Sequence, residues 1–261
     1  MTFIKFYCPN CKYLLENSKD NESIACYKCF TNYCKNKHWT DLCFSNNSVN
    51  NFTEKAYKIY SKFYAPFALF VYIIIWRGNI IKHIKFFRNI LLKRKEVIDI
   101  AIGDGSLSSV ALFGNKKLCA NEVIAIDISE EMLSKAKNKL HNKPITFVRG
   151  DVLQLPFIDS SLNAISCFGG FNSFPSGKLA MQELARCLSQ EGIIRGSILL
   201  TPETPWKKNL IKNWIKKGYQ TEEIDKEKFL LWVQYANLIV THMEQYGDVF
   251  LFELSHRKLA A

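Results

Sequence analysis

Two sets of residues in this chain of 261 have types and spacings that could do chemistry. The first is Val97-Ile98-Asp99-Ile100-Ala101-Ile102-Gly103-Asp104-Gly105, an apolar run that enters a pair of glycines. A turn this tight between a strand and a helix needs residues without a Cβ, both to reach positive φ and to let a ligand approach the backbone. A dinucleotide fingerprint would place a third glycine at position 108, where this chain has Ser108, and has no use for a carboxylate inside the strand. Asp99, four residues ahead of Gly103, suits a ligand with a cationic amino acid end rather than a pyrophosphate. The second set is Cys8-Pro9-Asn10-Cys11 and Cys26-Tyr27-Lys28-Cys29. Two Cys-x-x-Cys knuckles separated by such a loop can close four thiolates into a tetrahedron on zinc, and a four-thiolate site has no open position, so that metal is structural.

Elements that would position the first set follow along the chain. Val123-Ile124-Ala125-Ile126-Asp127 reads as a second strand. It ends in an acid about twenty residues beyond the glycines, from where a carboxylate can bond both ribose hydroxyls of an adenosine. Ser129 can cap the next helix, with Glu130 and Glu131 at its positive end. A third strand, Ile145 to Gly150, delivers Asp151 to where an adenine amino group needs an acceptor. A cationic amino acid end, a ribose and an adenine together describe S-adenosylmethionine. Ser161 to Phe168 reads as a fourth strand, and Cys167 to Phe174 as a loop at its C-terminal end, the edge where ligands lie in a doubly wound sheet. A helix over 177–189, a strand over 191–200, a helix from Asp225 to Asn237 and a hairpin of Leu238 to Glu244 with Val249 to Ser255 complete the reading.

The stretches VIDIAIGDGSLS (97–108), VIAIDISEEMLSKAK (123–137), RGDVLQLPF (149–157) and AMQELARCLSQEGIIRGSIL (180–199) resemble class I S-adenosylmethionine-dependent methyltransferases. The branch they resemble contains quinone-biosynthesis enzymes (methyltransferase type 11). The resemblance implies a Rossmann-like α/β fold, a doubly wound seven-stranded sheet of order 3-2-1-4-5-7-6 with its last strand antiparallel. It implies that S-adenosylmethionine is held by Asp99, Ala101, Gly103, Gly105, Asp127, Ile128, Met132, Asp151, Val152 and Cys167. Ala101 departs from the pattern, since the family usually has its first glycine there. The acceptor is expected against Phe63, Phe67, Gly169, Gly170, Phe171, Asn172 and Trp206. The cysteine module resembles ribbons fused ahead of plastid quinone-methyltransferase-like proteins and of bacterial large-subunit rRNA guanine methyltransferases.

Three regions are expected: a zinc ribbon over 1–45 with Cys8, Cys11, Cys26 and Cys29 on structural Zn2+, a linker with basic apolar lid helices over 46–95, and the methyltransferase domain over 96–261. Cys34, His38 and Cys43 are irregularly spaced and read as no second site, with Tyr33, Trp39 and Leu42 as ribbon core. The net charge of +11 is unevenly spread. Residues 51–95 hold ten Lys/Arg against Glu54 alone, whereas 96–261 hold nineteen of each sign. Thr53 is a candidate helix cap, and the uncharged run from Phe63 to Trp76, fourteen residues, falls short of the roughly 20 that a spanning helix needs. After Gly78-Asn79, Ile80, Ile81, Ile84, Phe87 and Leu91 recur at helical spacing, with Lys82, Lys85 and Arg88 elsewhere. Trp206, Leu210 and Trp214 repeat every four residues among lysines. Such basic helices are core-facing lids that could also lie on an anionic membrane or an RNA backbone.

Nine cysteines without an N-terminal signal point to a reducing, cytoplasmic setting in which the sequons at Asn46 and Asn51 carry no glycan. The reading is a methyltransferase acting in line on a small-molecule or lipid-like, quinone-type acceptor, at the membrane periphery or free of it. The alternatives are an rRNA methyltransferase that grips RNA through its ribbon and basic segment, and a non-enzymatic scaffold. No general base can be named: His141, His242 and His256 read as structural, and the catalytic residue is left open.

Overall fold

The computed structural model describes residues 4–18, 23–36, 38–43, 69–113 and 122–257. The N-terminal part folds as an antiparallel sheet of β1 (Glu16–Asn17), β2 (Ser23–Cys26) and β3 (Thr31–Cys34), followed by β4 (Thr40–Asp41). After a π-helical turn over Val71–Ile75 comes α1 (Ile80–Lys93), which opens the alternation β5 (Glu96–Ile100), α2 (Ser106–Leu112), β6 (Glu122–Asp127), α3 (Glu130–Lys139), β7 (Ile145–Arg149) and β8 (Leu162–Phe168). A 3-10 turn over Gly170–Asn172 leads to α4 (Gly177–Cys187), β9 (Leu188–Leu199), α5 (Pro205–Lys216), α6 (Lys226–Tyr235) and the hairpin β10 (Leu238–Tyr246) and β11 (Val249–His256).

The large sheet has the order β10-β11-β9-β8-β5-β6-β7-β4. Strands β5 to β9 run parallel, and β11 is antiparallel to both β9 and β10. The central strands, such as EVIDI and EVIAID, are buried on both faces and so carry apolar side chains almost without alternation. One face packs on α1, α2 and α3 through Phe87, Leu91, Leu112 and Leu133, the other on α4 and α6 through Met181, Leu184, Phe229 and Trp232.

Numbered within the catalytic part alone, the order reads 3-2-1-4-5-7-6, but the sheet has eight strands rather than seven. The extra strand is β4, from the cysteine-bearing part, paired parallel to β7 at the sheet edge. Cys8, Leu15, Ile24, Tyr33 and Leu42 share one buried cluster with Val148, Leu155 and Phe157. Burial of that face integrates the N-terminal part with the sheet.

Two helices depart in phase from expectation. In α1 the inward residues are His83, Phe87, Ile90 and Leu91, while Ile81 is exposed, because the helix starts at the Asn79 cap and turns His83 onto the sheet. In α5, Ile211 is fully buried and Trp214 packs edge-on against Trp76 at 5.4 Å, so this face belongs to the core. Lys207 is buried as well, 2.5 Å from Asp248, which leaves Trp206 as the exposed ring of the helix. Among the described residues no helix is long and apolar enough to cross a membrane. The linker over 46–53 with its sequons, the Thr53 cap, Phe63, Phe67 and the first part of the uncharged run, over 63–68, lie outside the described residues.

Candidate functional site

At the carboxyl edge of β5, β6 and β8 the chain leaves a cleft of about 150 Å³. Its floor is the turn between β5 and α2. Three successive odd positions there have positive φ: Ala101 at 57°, Gly103 at 60° and Gly105 at 72°. Gly105 also approaches α3, where an added Cβ would lie 3.0 Å from the Ala136 Cα, whereas one on Gly103 would meet nothing within 4 Å. The first glycine is thus needed for its conformation and for free space, the second for its conformation and for helix contact.

Asp127, at the end of β6, is fixed by the same turn. Its Oδ2 accepts the Gly103 N–H at 2.9 Å and its Oδ1 the Ser129 N–H at 3.0 Å. Burial raises its pKa, against the pull of these backbone donors. Ser129 caps α3 by accepting the Met132 N–H, while Glu130 and Glu131 lie at the positive end and Lys137 and Lys139 at the negative end. Asp104 is turned away onto Ser106 and Lys139. Its burial works to raise its pKa, but the Lys139 and Ser106 bonds hold it below the usual carboxylate range.

Of the residues expected at the cofactor, Ala101, Gly103, Asp127, Ile128, Met132, Asp151 and Val152 line this cleft. Gly105 supports it from behind. Asp99 is buried beneath it and accepts hydrogen bonds from Ser108 at 3.0 Å and Ser166 at 2.7 Å. Desolvation raises its pKa to about 6, and the two serine donors oppose that rise. Cys167 is fully buried under the loop, and burial pushes its thiol pKa up.

Across the cleft, Gly169 and Gly170 line its opposite side. A Cβ on Gly170 would lie 2.8 Å from the Ala101 methyl, so a side chain is tolerated at 101 because position 170 has none. Two expectations for this loop are corrected. Phe171 is fully buried against Phe174, Trp232 and Phe252 rather than facing a ligand. Asn172 holds the loop to β9, donating to the Leu199 carbonyl at 2.8 Å and accepting the Leu199 N–H at 2.9 Å. Trp206 is 57% exposed on α5.

Sequence reasoning put the Cys167 to Phe174 loop at the ligand edge but did not single out Phe168 or Phe174, and it overlooked Pro175; these three form the apolar wall. An aromatic-proline pair just beyond two glycines was the available signal. It also missed the chain behind that wall. The Tyr72 hydroxyl lies 2.7 Å from His83 Nδ1, His83 Nε2 is 3.4 Å from Ser197 Oγ, and the imidazole packs 5.2 Å from the Phe168 ring. Burial lowers the His83 pKa to about 4 and raises that of Tyr72. The imidazole is therefore neutral near pH 7.

In the N-terminal part the four thiols of Cys8, Cys11, Cys26 and Cys29 lie within 4.8 Å of one another. The Cys8–Cys29 and Cys11–Cys26 sulfur separations are 3.5 and 3.4 Å. These are too long for a disulfide and near the edge, about 3.8 Å, of a tetrahedron with Zn–S bonds of about 2.3 Å. Hydroxyls of Tyr33 and Thr31 face Cys8 and Cys29 at 3.1 and 3.2 Å, as outer partners of thiolate ligands do. The Thr31 bond draws the Cys29 thiol down to about 6, whereas burial and the neighbouring thiols push Cys11 up to about 12 despite a backbone bond from Tyr13. Tyr33 and Leu42 are core residues, Trp39 is half-buried and His38 is exposed.

Residues 98–195 match the family model described as a methyltransferase domain. An uncharacterised chloroplastic methyltransferase of Arabidopsis thaliana is 27% identical over 197 residues, 69% of this chain and 54% of that protein. The demethylmenaquinone methyltransferase of Thermotoga maritima is 31% identical over 129 residues, 49% of this chain and 52% of that protein. The chain thus spans about half the length of these relatives. The fold is that of solved methyltransferases. One, an S-adenosylmethionine-dependent methyltransferase of Thermotoga maritima, superposes with TM-score 0.56 at 12% identity, covering 77% of this chain and all of that one. Another, the geranyl diphosphate C-methyltransferase of Streptomyces coelicolor, gives TM-score 0.54 at 10% identity over 67% and 79% of the two chains.

Proposed function

We propose that the chain transfers a methyl group from S-adenosylmethionine to a small, apolar, quinone-type acceptor. The observation that carries this reading is the cleft itself. On one side it presents a carboxylate, Asp127, already aligned by the Gly103 and Ser129 N–H groups, with Asp151 on the adjacent loop. On the other it presents Phe168, Phe174 and two glycines. The demethylmenaquinone methyltransferases among the relatives support the acceptor class, and the methyltransferase domain match supports the reaction.

When bound, the cofactor supplies a methyl already activated by its sulfonium charge. The chain's task is then to align the acceptor and exclude water. Asp127 would bind the ribose hydroxyls and Asp151 the adenine amino group, with Ile128, Met132 and Val152 packing on the ring. Gly103 leaves the methionine end room at the backbone, and Ala101 narrows that space by one methyl. Asp99, through Ser108 and Ser166, braces the turn from below. Phe168, Phe174 and Pro175 would press a flat apolar acceptor toward the donor. The four cysteines fit structural Zn2+, whose binding energy would order a part of the chain too small to build a core of its own.

A tritiated methyl-transfer assay against separated lipid, small-molecule and RNA fractions tests the reading. Label is expected in a lipid or quinone product. Label confined to RNA would overturn the acceptor class, and failure to bind S-adenosylhomocysteine would overturn the reaction.

A further inference from the structure

We infer that the four-cysteine metal site and the nucleotide cleft are thermodynamically linked, because the metal knuckle braces the loop that carries Asp151 and Val152. The inference rests on the two binding readings above and adds a relation between them.

The loop in question leaves β7 after Arg149 and ends at Pro156, and both of its ends are held by the N-terminal part. At its start the Arg149 carbonyl accepts the Leu42 N–H at 2.8 Å. The Arg149 guanidinium reaches the Asp41 carboxylate at 2.9 Å and the Ile128 carbonyl, beside Asp127, at 3.0 Å. At its end the Tyr7 N–H donates to the Pro156 carbonyl at 2.9 Å, and the Lys12 ammonium to the Leu155 carbonyl at 3.0 Å. Lys12 also lies 3.5 Å from Glu183, whose carboxylate accepts the Leu155 N–H at 2.8 Å.

Tyr7 and Lys12 are the chain neighbours of Cys8 and Cys11. The knuckle is wound tightly, with Lys12 N–H on the Cys8 carbonyl and Cys8 N–H on the Tyr13 carbonyl, both at 2.8 Å, and with Lys12 at φ 56°. A metal on the four sulfurs fixes this winding and aims both donors at the loop. The loop's own turn, with Leu153 and Gln154 N–H groups on Asp151, does not need the ribbon. What the ribbon supplies is the loop's placement against β6, and so the position of Asp151 in the cleft. Tyr7 and Lys12 are positioning residues in this scheme.

Linkage requires reciprocity: whatever factor the metal adds to cofactor affinity, the cofactor adds to metal affinity. The test uses the full chain with Zn2+ and S-adenosylhomocysteine as probes. Removing Zn2+ should weaken S-adenosylhomocysteine binding by roughly five- to 150-fold, the usual range of such coupling. Saturating S-adenosylhomocysteine should raise Zn2+ affinity, read by competition with a chelating dye, by the same factor. Lys12→Met should weaken S-adenosylhomocysteine binding several-fold with Zn2+ fully retained, and Lys28→Met, exposed on the second knuckle, should not. Equal cofactor affinity in loaded and stripped chain, with no effect of Lys12→Met, would overturn the linkage while leaving both sites standing. If the stripped chain loses its fold, the loaded Lys12→Met variant decides. No uptake of Zn2+ would remove the metal reading, no binding of S-adenosylhomocysteine by the loaded chain the cofactor reading, and either would overturn the inference too.

Discussion

Substituting alanine at Gly103 and, separately, at Gly105 should separate ligand space from folding space within one turn. Both residues have φ in the left-handed region, at 60° and 72°. Each replacement therefore costs about 1–2 kcal/mol of backbone strain, offset by about 0.4–1 kcal/mol because alanine has less freedom than glycine to lose from the unfolded chain. At Gly103 nothing lies within 4 Å of the new methyl, so the net loss stays near 1 kcal/mol. At Gly105 the methyl meets Ala136 Cα at 3.0 Å and Leu140 Cδ1 at 3.1 Å, which adds an overpacking cost of about 1–3 kcal/mol. Since about 1 kcal/mol shifts the melting of a chain this size by roughly 2–4 °C, Gly103→Ala should melt close to wild type and Gly105→Ala well below it. Binding should rank the other way, because the Gly103 methyl occupies cleft space. S-adenosylhomocysteine affinity should fall roughly tenfold or more for Gly103→Ala, from an overpacking cost of about 1–3 kcal/mol at the ligand. Thermal melts by circular dichroism and titration calorimetry read both quantities. If Gly103→Ala binds as wild type does, or melts below Gly105→Ala, the assignment of space in this turn is wrong.

Other outcomes follow from the same geometry. Ala101→Gly relieves a left-handed alanine and should raise the melting temperature by a few degrees, for a net gain of about 0.5–1 kcal/mol, with no loss of cofactor affinity; a lower melting temperature would contradict it. Asp127→Asn should weaken S-adenosylhomocysteine binding roughly ten- to a hundredfold, since a charge-assisted bond is lost and an amide N–H must face the Gly103 or Ser129 donor; wild-type affinity would argue against ribose binding there. Two buried groups should oppose each other in acid. Asp99, raised to about 6, binds a proton on folding, so its contribution to stability is fully present below its unfolded pKa near 4 and is lost as pH rises to about 6. His83, lowered to about 4, releases a proton on folding, so its contribution is present above about 6.5 and is lost as pH falls toward 4. Denaturant titrations between pH 4 and 6 should then show stability rising with pH in Asp99→Asn relative to wild type, and falling in His83→Gln, each by up to about 1.4 kcal/mol per pH unit. Parallel pH curves for the three proteins would refute the two shifts.

The glycine turn, Asp127 and Asp151 were legible in the chain because strand, turn and helix are local. A two-residue glycine spacing constrains backbone within a few residues, and an acid at a strand end needs only the strand's length to be placed. Buried parallel strands announce themselves as apolar runs, which is why the strands could be anticipated from the chain, whereas their order came from the resemblance to methyltransferases. The four cysteines were legible for the same reason, since knuckle spacing sets ligand geometry directly.

Orientation was not legible. Periodicity put Ile81 inside α1, whereas the helix buries His83, because the phase of a short amphipathic helix depends on what it packs against. Phe171 looked like a ligand contact and is core, while Asn172 is bonded to β9, because loop side chains are assigned by neighbours far off in sequence.

By itself, then, the sequence determined a glycine turn followed by two acids that reach one cleft, and a set of thiols that cluster. Only the tertiary structure decided that Asp99 lies beneath the cleft, that Tyr72, His83 and Ser197 form a chain behind its apolar wall, and that β4 joins the sheet edge with Tyr7 and Lys12 against the loop that carries Asp151. Those contacts link residues as far as 143 positions apart. The segments that carry them are brought together by burying one apolar surface against another, a non-directional force that leaves no periodic mark in either segment.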